Sequence, residues 1–296
     1  YKENFLHFYP KTAIILNIDE DHLDYFRNLD HIVSAFAKFA NNIMDKGTLV
    51  LNGDDYNSRK MIPYFKGKII TFGLSDHCDY IAKNIVYNRL GHPNFDIFHK
   101  EKFLCNLSLI IPVKHNIYNA MAAFVTGLIY QVELEQMRQK LATFKNANRR
   151  FEWIGKAKDV TIIDDYAHHP NEIKATLEAA TRMTDVSRIL CIFQPHTYSR
   201  TKELLNEFSG AFSLASEVIL CDIYAAREID HGEISSIDLM NALLSEGVNA
   251  KYFPSFEAVE DYILVDALPG DLVITMGAGD VTDISRSLLA RLNKAE

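Results

Sequence analysis

From residue 160 onward, short apolar runs alternate with amphipathic helical patterns, and few folds accommodate that alternation. Residues 160–163, 189–193, 218–221 and 272–275 are runs of strand length, apolar except for Thr161 and Thr275, the form taken by strands covered on both faces. Helical patterns follow at 171–183, 200–214, 236–245, 256–263 and 281–292. Strands joined through helices need crossover connections, so the expected product is a parallel sheet with helices on both sides, a Rossmann-like doubly wound domain.

The first half reads as a second α/β region. Residues 12–18, 48–51 and 68–72 are apolar strands, and a helix carries Ile32, Phe36, Phe39 and Ile43 on one face. Short alternating segments across 79–112, broken by Arg89-Leu90-Gly91-His92-Pro93, predict antiparallel strands at a sheet edge. Helices are expected at 115–130 and about 133–144. The polar run from Lys145 to Arg150 breaks the apolar pattern, which sets expected domains at 1–146 and 147–296. A net charge of −8 argues against a general nucleic-acid binder, and no apolar stretch is long enough to span a bilayer. Cys78, Cys105, Cys191 and Cys221 form no CxxC pair and read as free thiols in a reducing compartment. The chain shows no signal peptide and lacks an initiator Met, so it is expected to be the interior of a longer protein.

In open parallel sheets, ligands collect where strands end. The first strand runs into Asp19-Glu20-Asp21-His22, which reads either as a divalent-cation site or as a solvated acidic turn. Residues 160–163 lead into Asp164-Asp165-Tyr166-Ala167-His168-His169-Pro170. Pro170 opens a helix, and the adjacent histidines have no evident use as caps, so a proton-steering or anion-binding role is preferred. Gln194-Pro195-His196-Thr197-Tyr198-Ser199-Arg200 joins an imidazole to a guanidinium suited to bidentate carboxylate recognition; a capped helix start with an exposed Arg is the alternative. His115 and Asn119 share a helix face, and an asparagine amide suits the edge of adenine, although Asn116 could equally serve as an N-cap. Gly277-Ala278-Gly279 is a tight turn or an anion cradle, and Arg149-Arg150 alone reads as a solvated linker.

Taken together, NIDEDHLDYF, HNIYNAMAA, NRRFEWIG, DDYAHHPNEIKATL, FQPHTYSRT, DIYAARE and MGAGDV, in this order and spacing, resemble the Mur ligase family. The resemblance implies a cytoplasmic, ATP- and Mg2+-dependent enzyme of peptidoglycan synthesis. ATP phosphorylates the lactyl carboxylate of UDP-N-acetylmuramate, and the amine of L-alanine attacks the acyl phosphate. It makes residues 1–146 part of a central ATP-binding domain and 147–296 the carboxyl-terminal domain. His22 becomes a metal ligand, Asn116 and Asn119 adenine contacts, Arg150 the arginine on the ATP phosphates, and Asp165 an acidic group near the nucleotide. His169, His196 and Arg200 fall at catalytic positions, with His168 and Tyr198 contacting substrate. Arg200 and His196 are expected to form the carboxylate-binding end; His196 could accept the ammonium proton or donate to a developing oxyanion. The sequence departs from the family in lacking a GxxxxGK[ST] run, so the chain alone is expected to be inactive, and Thr197 stands where some relatives have Arg. A tripeptide-recycling ligase and a non-catalytic nucleotide-binding module are the competing readings.

Overall fold

A computed structural model describes residues 2–20, 25–145 and 147–294. The chain forms two compact units, the second taking in Tyr87–His92 and Ile111–Val113 together with everything from Lys145 onward.

The first unit is built on a six-stranded sheet in sequence order: β1 (Thr12–Ile15), β2 (Thr48–Asn52), β3 (Lys68–Gly73), β4 (Tyr80–Tyr87), β5 (Pro93–His99) and β6 (Lys102–Ser108). β1 through β4 pair in parallel, whereas β5 and β6 form an antiparallel hairpin, so the sheet is mixed. Helix α1 (Leu29–Asn41) starts where the Asn28 side chain accepts the His31 amide, 2.9 Å away. Its apolar face, Ile32, Val33, Ala35, Ala37 and Ala40, joins Ala13, Ile15, Leu49 and Leu51 in one core. α2 (Tyr56–Lys60) follows β2, α3 (His115–Ile129) packs on β2 and β3, and α4 (Leu134–Ala142) packs on β6.

The second unit holds β7 (Glu152–Ala157), β8 (Val160–Asp165), β9 (Arg188–Phe193), β10 (Glu217–Leu220), β11 (Ala250–Tyr252) and β12 (Asp271–Met276), in the order β11-β10-β9-β12-β8-β7. All neighbours are parallel except the β7–β8 hairpin. Successive strand residues point to opposite faces, and this separates two cores. Ile163, Cys191, Phe193, Leu220 and Ile274 meet α5 (Pro170–Thr181), α7 (Leu205–Ser209) and α8 (Ser236–Ser245). Ile162, Leu190, Ile192, Ile219 and Val273 meet α9 (Phe256–Asp266) and α10 (Thr282–Lys294).

Three features differ from the sequence pattern. The helix expected at 200–214 is broken into α6 (Tyr198–Glu203) and α7 at Leu204, and Phe208 packs beside Phe193, with ring centroids 5.7 Å apart. The edge strands β7 and β11 were not expected. β7 is interrupted by a register shift at Trp153/Gly155, and β11 is only three residues long. Among the described residues the cysteines are all free and buried, and no helix is long and apolar enough to cross a membrane.

Candidate active site at the strand ends

Sheet register brings the polar motifs of the second unit together. Asp165 lies opposite Met276, Met276 opposite Phe193, and Phe193 opposite Leu220, so the strands end flush. The segments that leave them emerge side by side. The segments after β9 and β10 stay paired: Tyr224 N donates to Pro195 O, Thr197 N donates to Tyr224 O, and His196 bridges to Tyr224. The turn after β12 is pressed against both. Any side chain at Gly279 would collide with Gln194 and the Tyr224 ring, and Gln194 holds the turn by accepting the Val281 amide and donating to Asp280.

Two histidines face each other in this cluster with different tautomers. His168 Nδ1 lies 2.9 Å from the Tyr166 carbonyl, and a carbonyl only accepts, so Nδ1 carries a proton, and Nε2 holds the lone pair when the ring is neutral. Arg200 donates to His196 Nδ1 across 3.3 Å, and a guanidinium only donates, so His196 carries its proton on Nε2. The rings lie 5.8 Å apart, and Tyr224 stacks on His196 at 5.6 Å. Burial first, then the charges of Arg200 and His168, lower the His196 pKa, which keeps this imidazole neutral. Tyr198, at the start of α6, has its hydroxyl pKa raised by burial and then by Asp230, Asp222 and Glu228. Glu228 fixes that helix start by accepting from Ser199 N at 3.0 Å and from its hydroxyl at 2.5 Å. Thr197, just before it, holds φ at +67°, a conformation rare for a β-branched residue and worth about 1–3 kcal/mol of strain.

His169 is placed differently. Its Nδ1 accepts the Asn171 amide at 3.3 Å, so it is the N-cap of α5. The expectation that these histidines have no capping use is corrected for His169; Pro170 occupies the first helical position as expected.

The paired aspartates of β8 point into the protein. Asp164 is fully buried and accepts from Thr275, Thr282 and Arg149 at 2.6, 3.0 and 3.0 Å. Asp165 accepts the amides of Phe151 and Ala167, each at 2.7 Å. Burial pushes its pKa up to about 6, against the pull of those two amides and of Arg150. Arg149 is no solvated linker residue: its side chain is 19% exposed and also donates to Gly279 O and Gly277 O. Arg150 pairs with Glu172 at 3.4 Å and lies over the Tyr166 ring.

In the first unit, Asn116 is buried and Asn119 is exposed one turn later, and Asn119 donates to Asn116 Oδ1 at 3.1 Å. Lys114, not Asn116, occupies the cap position of α3. Between the two asparagines, Tyr118 donates to Asp54 at 3.1 Å. Asp54 also accepts the amides of Leu74 and Ser75. Burial works to raise the Asp54 pKa, but these donors outweigh it and lower it. His22 lies outside the described residues. Asp19 and Glu20, beside it in sequence, are exposed carboxylates, an oxygen set that suits Mg2+. Elsewhere among the described residues, Asp54, His77 and Cys78 have ligand atoms within 4.8 Å of one another. That set does not suit Mg2+: Asp54 is occupied, and burial and Asp54 push the Cys78 thiol up to about 12.

Residues 3–127 match the Mur ligase middle domain, and residues 149–279 match the Mur ligase glutamate ligase domain. The chain is 42% identical over 294 residues to a UDP-N-acetylmuramate–L-alanine ligase of Caldanaerobacter subterraneus, covering 99% of this chain and 64% of the relative. It is 45% identical over 290 residues to the ligase of that name from Alkaliphilus metalliredigens, covering 98% and 63%. The chain belongs to the Mur ligase family. The crystal structure of the UDP-N-acetylmuramate–alanine ligase of Thermotoga maritima superposes with a TM-score of 0.81 at 26% identity, over 99% of this chain and 62% of that one. A murein peptide ligase from Psychrobacter arcticus shares the fold, with a TM-score of 0.67 at 21% identity, over 99% of this chain and 59% of that one. The chain thus spans a little under two thirds of the relatives it matches.

Of the expected site residues of this Mur ligase chain, the structure gathers His168, His196 and Arg200 into one group, with Arg200 hydrogen-bonded to His196 and the two imidazole rings in tilted contact, and with Tyr198 at the same helix start. Asn116 and Asn119 form a separate pair on α3. Sequence reasoning missed Tyr224, Gln194, Asp54 and the anchoring of Arg149. Tyr224 sat in the motif after residues 218–221 and could have been singled out there. Arg149 had no signal of its own, because its acceptors lie 15, 128 and 130 residues away.

Proposed function

We propose that the full-length protein carrying this chain joins L-alanine to UDP-N-acetylmuramate, with ATP activating the lactyl carboxylate as an acyl phosphate. The observation that carries this is the identity of 42–45% to ligases of that name along 98–99% of the chain. The geometry of the second unit supports it. Arg200 supplies a planar fork for a carboxylate. His168, with its lone pair on Nε2, takes the proton from the incoming ammonium. His196, with Nε2–H, donates to the oxyanion that develops on the attacked carbonyl. For His196, which the sequence leaves open between two roles, the Arg200 contact at Nδ1 favours the oxyanion donor.

Asn116 and Asn119 are proposed to hold adenine, Arg150 the ATP phosphates, and Tyr198 the substrate. Asp165 lies near the nucleotide in this reading, and His169 acts by fixing the start of α5. Magnesium supplies charge neutralisation at the phosphates, with His22 and the neighbouring carboxylates as its residues. We further propose that residues 1–146 are the latter part of the ATP-binding domain, 147–296 the acceptor domain, and the cytoplasm the site of action.

The test is ADP release by the full-length protein with UDP-N-acetylmuramate and either L-alanine or a murein tripeptide. Release that depends on L-alanine supports the proposal. Release only with the peptide would establish the recycling reading instead, and no nucleotide turnover with either would leave a binding module.

A further inference from the structure

We propose that Arg149 is a positioning residue that aims Arg150, with Asp164 as its anchor; this rests on the ligase reading, in which Arg150 meets the ATP phosphates. Arg150 sits between two residues in the left-handed region, Arg149 at φ +60° and Phe151 at φ +48°. Neither is glycine, so neither holds that conformation without support. Each is secured by a different aspartate of the same strand. Asp164 takes the Arg149 side chain, and Asp165 takes the Phe151 amide at 2.7 Å. The backbone is tied further by Arg149 N to Glu152 and by Tyr166 N to Arg149 O, both at 2.6 Å.

The Arg149 side chain is engaged on all three nitrogens: Nε to Asp164 at 3.0 Å, and the terminal nitrogens to Gly279 O at 2.9 Å and Gly277 O at 2.6 Å. Those acceptors sit at the end of β8 and in the turn after β12. A rigid planar fork can satisfy all three directions at once, whereas a lysine ammonium is a single point on a flexible stem. Arg149 is therefore not arranged to grip a ligand. Arg150 is the more exposed guanidinium, with 39% of its side chain accessible, and it leans on the ring of Tyr166, as Arg149 does. Ordering Tyr166 and the backbone around Arg150 limits the directions in which Arg150 can point. A buried ion pair is a poor source of stability when apolar packing could replace it, but it is a strong source of orientation.

The test is a double-mutant cycle in the full-length protein, reading the dissociation constant of a non-hydrolysable ATP analogue by calorimetry and the KM for ATP and for L-alanine. Arg149→Lys is expected to weaken the analogue and raise KM for ATP by about tenfold, while KM for L-alanine changes less than about twofold. In an Arg150→Ala background, Arg149→Lys should have no further effect, because the two act through one group. Asp164→Asn should reproduce Arg149→Lys. Additive effects in the double variant, a parallel change in both KM values, or unchanged analogue binding would overturn the proposal, as would a wild-type protein that does not bind the analogue. If the cycle holds but L-alanine is not the acceptor, the substrate reading fails and the positioning role stands, since analogue binding does not depend on the acceptor.

Discussion

The start of α3 in the first unit and the strand ends of the second are both polar, but they are assembled differently. Asn116, Tyr118 and Asn119 lie within the first turn of one helix, so their mutual placement follows from helical geometry. His168, His196, Arg200 and Tyr224 come from separate segments, and only the flush register of β8, β12, β9 and β10 makes them neighbours. Crowding has a consequence in the second case. Each polar group there is oriented by another, down to the tautomer of each histidine, whereas Asn119 remains exposed on the helix surface. The helix constellation should therefore tolerate substitution locally, and the strand-end constellation should respond as a unit.

The largest expected effect tests that contrast directly. Asp164→Ala leaves Arg149, Thr275 and Thr282 without their buried acceptor, which should cost about 3–5 kcal/mol, as when one partner of a buried pair is removed. Native-state hydrogen exchange is the measurement: protection should fall in β8 and β12 and be kept in β2. Equal losses in both sheets, or none, would break the comparison. Next comes Arg200→Lys, expected to lower kcat/KM of the full-length enzyme by about 2–4 kcal/mol, as for loss of one preorganised contact, with the fold retained. Unchanged kinetics for both substrates would make Arg200 a surface residue. Smaller still is Tyr118→Phe, which removes one hydrogen bond to Asp54 while Leu74 and Ser75 continue to satisfy it. A stability loss of about 0.5–1.5 kcal/mol by urea unfolding is expected. A loss like that of Asp164→Ala would show that the first unit is coupled as tightly as the second.

The same contrast explains what was legible in the sequence. The central strands were readable because burial on both faces leaves continuous apolar runs such as Ile-Leu-Cys-Ile-Phe at 189–193. The edge strands were not: β7 contains Lys156 and a shifted register, and β11 is too short to show alternation. At the site, motifs marked the right segments but not the work of each member. His168 and His169 are adjacent in sequence, yet one donates to a carbonyl beside His196 and the other caps a helix. Arg149 and Arg150 divide in the same way, one anchored on three protein acceptors and the other more exposed. Spacing cannot separate such neighbours, because the difference is made by acceptors brought from distant strands.

The smallest expected effect is a titration, and it probes whether the strand-end groups respond together. His196 has its pKa lowered from 6.5 by burial first and then by Arg200 and His168, with Glu228 pulling the other way. The unfolded chain therefore takes up this proton before the folded one as pH falls. The stabilising contribution is complete above about pH 6.5 and is lost as pH falls through the folded-state value. Protonation would also place a hydrogen on Nδ1, the atom to which Arg200 donates, and so set two donors against each other. Arg200→Gln keeps a donor near that nitrogen but removes the charge, so the His196 pKa should move up toward its ordinary value. Burial remains, so the return should be partial. NMR titration of the imidazole in both forms is the check. If the pKa stays where it is, burial and His168 set it without Arg200, and the Arg200–His196 contact is geometry without electrostatic coupling.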